Sequence, residues 1–95
     1  MSKVYHITDE KFGSRDGVFP DDYTLVAEVP TDELEDVYRL TNSVESSWTI
    51  NKELEVFGHS LRSTSVGDIV ENDNGVFMVD IVGFKEVEKE EDDEN

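Results

Sequence analysis

The stretch Ile69-Val70-Glu71-Asn72-Asp73-Asn74-Gly75-Val76-Phe77-Met78-Val79 constrains the fold more than any other part of the chain. Two runs rich in β-branched and apolar residues flank an Asn-Gly pair, whose residues tolerate the positive φ that a tight hairpin turn needs. A hairpin is therefore predicted here, with the rest of the chain packed against it. Gly67-Asp68 opens it, the glycine free to take a conformation closed to other residues and the aspartate placed to cap the turn. Phe77, Val79 and Ile81 share one face of the second arm, while Val76, Met78 and Val82 share the other with Asp80 among them. Both faces are largely apolar, so this arm is expected to be central, with the helix on one side and a loop or partner on the other. Gly83 marks a bulge or bend before Phe84-Lys85-Glu86-Val87.

Upstream, Lys3 to Thr8 alternates with β-forming residues and reads as a first strand. Asp9 to Asp22 is rich in turn formers, and Tyr23 to Val29 is a second strand stopped by Pro30, which cannot donate to a ladder. Thr31 is the expected N-cap of a helix over about Asp32–Thr41, with acids in its early turns and Arg39 near its end. Leu34, Val37, Tyr38 and Thr41 form its buried stripe, with Leu40 at the edge. Its acidic outer face reads as solvated surface, with a docking face as the alternative. Leu54-Glu55-Val56-Phe57 is a short edge strand or irregular cover. The expected class is α+β: a three- to five-stranded, mostly antiparallel sheet or partly open barrel carrying one helix.

The chain of 95 residues supports one domain, placed at residues 1–87, followed by a disordered acidic tail at 88–95. Its core must be small. A formal charge of −16 comes from 24 acids against 8 bases; residues 86–95 carry −6 of it, which leaves −10 on the rest. Such a surface repels phosphate backbones, so direct nucleic-acid binding is disfavoured. With no cysteine there is no disulfide, thiolate nucleophile or zinc-thiolate cluster, which fits a reducing, cytoplasmic compartment. No window approaches the roughly 20 apolar residues of a membrane helix, and no apolar run follows the lysine near the start.

Candidate chemistry is sparse. His6 lacks ligand partners at metal-site spacing and reads as an ordinary strand histidine. The glycines at 13 and 17 are not followed by the lysine and hydroxyl of a phosphate loop, and the nearby carboxylates lack the EF-hand order. His59 with Ser60, Ser63, Thr64 and Ser65 offers a base and hydroxyls, but no strained elbow or orienting carboxylate is signalled. The expectation is a protein with no catalytic set, no metal and no cofactor. Arg62-Ser63-Thr64-Ser65 then reads as a loop whose hydroxyls satisfy turn backbone and whose guanidinium pairs with carboxylates. Trp48 is either a core plug or a contact residue.

Asn42, Trp48, Arg62-Ser63-Thr64-Ser65-Val66-Gly67-Asp68-Ile69-Val70 and Val82-Gly83-Phe84 together resemble a group of small uncharacterised proteins from tailed phages and plasmids. His59-Ser60-Leu61 and Ser65-Val66-Gly67-Asp68 are similar to the YodL-like family of mobile elements, and the glycine-aspartate turn is similar to that of small barrels of the PUA type. The resemblance implies a mobile-element origin and brings no activity, cofactor or catalytic residue with it. The acidic tail and surface depart from its recurring pattern. The resulting expectation is a non-enzymatic accessory protein that binds a host or phage protein, one with a basic surface among the options, through Trp48, His59, Arg62, Ser63, Thr64, Ser65 and Asp68. A DNA mimic, with carboxylates in the place of phosphates, and a halophile-adapted domain are the alternatives, and oligomeric state is left open.

Overall fold

A computed structural model of the chain describes residues 1–8, 18–42, 54–57 and 63–87. In chain order these form β1 (Ser2–Ile7), β2 (Tyr23–Val29), α1 (Leu34–Thr41), β3 (Glu55–Val56), β4 (Ile69–Asn72), β5 (Gly75–Val79) and β6 (Phe84–Val87). The strands make one sheet in the order β3-β2-β1-β4-β5-β6, every neighbouring pair antiparallel. The class is α+β, as expected, and the sheet does not close into a barrel. It has six strands among the described residues, more than the three to five expected, because the edge pieces β3 and β6 both pair.

The hairpin arm β5 is an interior strand, between β4 and β6, but the middle of the sheet is shared by β4 and β1, and β1 pairs with β2 on one side and β4 on the other. Its sequence hides this, since Ser2, Lys3 and His6 dilute the apolar run. Burial is bought through partners: Ser2 Oγ donates to Thr31 O at 2.6 Å, and Val4 is completely enclosed between Ala27 and Val70. A register shift follows Val4: Val4 faces Ala27 but Tyr5 faces Leu25, so Val26 is an extra residue in β2. This bulge lets Val26 and Ala27 both lie buried in the same core cluster.

Alternation splits the core into two layers. Val4, Val26, Ala27, Val29 and Val70 pack against Val37 of α1 and Leu54, with Leu34, Leu40 and Val56 at the margin. On the opposite face Ile7, Tyr23, Ile69, Val76 and Met78 surround Phe19, from the segment leading into β2. Each fully buried valine or isoleucine contributes about 1.5–3 kcal/mol of transfer free energy. Phe19 makes edge contacts with Tyr5 and Tyr23 at centroid distances of 4.8 and 5.7 Å, and its peptide bond to Pro20 is cis. A turn-rich loop thus supplies the plug for the second face.

Local chemistry sets the ends. In the β4–β5 hairpin Asn72 faces Gly75, so Asp73 and Asn74 form the turn, with the Asn74 amide donating to Asn72 Oδ1 at 2.8 Å. Gly75 takes the positive φ, +139°, just after the turn. The helix begins later than the expected Asp32. Its N-cap is Glu33, without a side-chain cap bond, and Thr31 Oγ1 instead accepts the Glu33 amide at 3.1 Å in the turn before it. Val37 and Thr41 are its buried residues, as the stripe predicted, with Leu34, Tyr38 and Leu40 half-buried. Strand β5 ends at Val79, so Ile81 and Val82 are turn residues rather than strand residues.

Candidate functional site

The Ser63–Asp68 loop is tied into the fold at four places. The Thr64 amide donates to Thr41 O at the end of α1 at 2.9 Å, and Asn42 Nδ2 donates to Thr64 O. The Gly67 amide donates to Val79 O, and the Val79 amide returns a bond to Asp68 O, each at 2.9 Å. Tyr23 Oη donates to Gly67 O at 2.9 Å, which locks β2 to the turn. Asp68 does most of the remaining work: Oδ2 accepts the Ser65 amide at 2.8 Å and Oδ1 accepts the Ile7 amide of β1 at 2.9 Å. Gly67 sits at φ +96°, the conformation expected of it, and Asp68 caps the turn as expected.

His6, Thr64 and Asp68 meet inside this arrangement. His6 Nε2 lies 3.0 Å from Thr64 Oγ1 and 3.9 Å from Asp68 Oδ2. A base, a hydroxyl and a carboxylate in one place suggest a nucleophilic triad, yet the geometry is different. In a relay the carboxylate orients the ring through one nitrogen while the hydroxyl meets the other, whereas here both contacts fall on Nε2. Thr64 and Asp68 have no exposed surface and His6 has 6%. The cluster is therefore a buried polar clasp between β1 and the loop, and its hydrogen bonds offset the cost of enclosing polar groups.

This changes what the expected contact residues can do. Trp48, His59 and Arg62 lie outside the described residues. Thr64 and Asp68 face inward and hold the loop's shape, while Ser63 and Ser65 are half-buried, with Ser65 Oγ donating to Ser63 O at 3.3 Å. The residues that stand out are ones the sequence reading placed elsewhere. In the turn from Asp80 to Gly83, Ile81 is 75% and Val82 89% exposed. The turn is held by the Asp80 amide on Gly83 O at 3.0 Å, by the Ile81 amide on Asp80 Oδ1 at 2.7 Å, and by Gly83 at φ +73°.

Beside that turn is a groove of about 320 Å³ whose walls include Tyr38, Val66, Val79 and Phe84, with Glu35 and Asp80 also lining it. Tyr38 from α1 and Phe84 from β6 meet edge to face at 6.4 Å. Val66 belongs to the clasped loop, so the buried cluster of His6, Thr64 and Asp68 positions one wall of an exposed groove. A sequence signal did exist: two aliphatic residues between an aspartate and a glycine, Asp80-Ile81-Val82-Gly83, have turn formers on either side.

A second depression, of about 440 Å³, is bordered by Lys3, Tyr5, Glu71, Asn72 and Asp73. Lys3 faces Glu28 on one neighbouring strand and Glu71 on the other, and Tyr5 Oη donates to Glu71 Oε1 at 3.0 Å. Burial, then the bond to Glu71, pushes the Tyr5 phenol up to about 12. Burial, then the nearby Asp68 and Asp22 charges, does the same for Tyr23. Among the described residues no group of three or more histidines or acids is arranged to hold a metal ion, and no helix is long and apolar enough to cross a membrane. Comparison with protein-family models, with curated proteins and with solved structures finds no match to the chain.

Proposed function

We propose that this chain is a small, acidic, non-enzymatic accessory protein of a phage or other mobile element that binds a host or phage protein. The observation that carries the binding role is the exposure of Ile81 and Val82, side by side at a turn and next to the Tyr38–Phe84 groove. Single exposed aliphatic residues are ordinary on protein surfaces, but a contiguous apolar projection beside a groove is the kind of patch that partners cover. The clasped loop supports the same reading, because a wall fixed by buried hydrogen bonds presents Val66 without the entropy cost of ordering it on binding. The mobile-element origin rests on the resemblance of the Arg62–Val70 run. The test is capture from host lysate by the wild-type chain and by the double variant Ile81→Asp/Val82→Asp. A partner held by the wild type and lost from the variant is the expected result; a partner set unchanged by the variant overturns this surface as the contact.

A further inference from the structure

We propose that the β6 edge takes up an extended, lysine- or arginine-bearing peptide segment of the partner as an added strand, with one of its aliphatic side chains seated in the groove between Tyr38, Val66 and Phe84. This deepens the binding role proposed above and rests on it. Among the described residues strand β6 is the last in the sheet order and pairs with β5 alone. In such a strand alternate backbone amides and carbonyls point away from the sheet, which is the template that strand addition uses. Phe84 is both the first residue of β6 and part of the groove wall, so the groove lies beside the start of the edge strand. Ile81 and Val82 stand at the same end of the strand.

Charge selects the occupant. Glu35 and Asp80 line the groove, Glu86 lies in β6 itself, and the whole chain carries −16. A cationic strand gains from that field and is steered toward it. A second copy of this chain would instead bring its own Glu35, Asp80, Glu86 and −16 to the same edge. The acidic groove and surface thus favour a basic heterologous strand over a second copy of this chain.

The probe is a synthetic peptide, acetyl-KVKIKVK-amide, titrated into the isotope-labelled full chain and followed by backbone amide NMR. The expected result is saturable binding in which the amides of Phe84–Val87 shift most and gain protection from exchange. Affinity should fall by about tenfold between 50 and 300 mM salt, as screening of the acidic surface requires. The same peptide N-methylated at every residue keeps its charge and side chains but has no amide left to donate from either edge, and should lose at least about tenfold in affinity, since main-chain hydrogen bonds supply the affinity of strand addition. Val66→Ser, on the groove wall, should weaken the unmodified peptide and leave the chain folded. Equal binding by the N-methylated peptide, shifts centred on Lys3 and Glu71, no binding at millimolar peptide, or a salt-stable homodimer through β6 in ultracentrifugation would each overturn the proposal. If the lysate partner is still lost from the Ile81→Asp/Val82→Asp variant while the peptide fails, the binding role stands and strand addition alone falls.

Discussion

The Ile7 amide donates to Asp68 Oδ1 at 2.9 Å across a sequence separation of 61 residues, in a site where Asp68 has no exposed surface. One carboxylate therefore serves as a turn cap for Ser65 and as a bridge from the loop to β1. Asp68→Ala removes that acceptor from the buried Ile7 amide and the half-buried Ser65 amide, and a buried donor left unsatisfied costs about 1–3 kcal/mol. Chemical denaturation should show a loss of about 2–4 kcal/mol, with Asp68→Asn, which keeps one carbonyl acceptor, in between. A loss below about 0.5 kcal/mol, the range of neutral surface changes, would mean that the clasp does not hold the loop.

Thr64→Val keeps the side-chain volume and removes the hydroxyl that meets His6 Nε2 at 3.0 Å. The expected cost is about 1 kcal/mol, that of an ordinary buried hydrogen bond, with Thr64→Ser close to wild type. The imidazole NMR signals of His6 should move in Thr64→Val and stay near their wild-type positions in Thr64→Ser.

Tyr5 and Tyr23 give the chain an alkaline limit. Both phenols are raised from an ordinary value of 10.0 to about 12, so folding favours their protonated forms. The stability they contribute is fully present below pH 10 and drains away as pH climbs toward 12, because the unfolded chain loses those protons first. Tyr5→Phe should flatten the fall of stability across that window while retaining a residual slope from Tyr23. Thermal melts in steps from pH 9 to 12 would reveal it, and an unchanged slope would contradict the raised Tyr5 phenol, which burial causes first and the Glu71 bond second.

Gly83 isolates a backbone effect. Its φ is +73° and a Cβ built there meets nothing within 4 Å, so Gly83→Ala introduces left-handed strain without a clash. The cost should be about 1–2 kcal/mol, and Ile81→Ser with Val82→Ser, both highly exposed, should stay within about 0.5 kcal/mol of wild type. A large loss from the double serine variant would show that the pair supports the fold rather than awaiting a partner.

What could be read from the chain alone followed the range of the forces involved. The hairpin, the Gly67-Asp68 turn, the stop at Pro30 and the Val37/Thr41 stripe are set within a few residues, and local patterning showed them. His6 looked like an ordinary strand histidine because the hydroxyl it meets is 58 residues away. Asp68 was recognisable as a cap, but its second bond to Ile7 was not, since nothing local distinguishes a cap with one amide from a cap with two. Phe19 sat among turn formers, where composition speaks for the backbone and is silent about a ring inserted under the sheet. Ile81 and Val82 continued an apolar alternation and were assigned to the strand, whereas Gly83 and the Asp80 cap end it sooner.

The place of β1 between β2 and β4 has a consequence for biosynthesis. On the ribosome, β1, β2 and α1 emerge well before the strand that must flank β1 on its other side, so the half-built sheet waits with one long edge open. Distant pairings of this kind form slowly, and half-built sheets are prone to clump. Mutual repulsion among the chain's many acids then guards the nascent protein during that delay, a benefit to the newborn molecule separate from anything the mature surface binds.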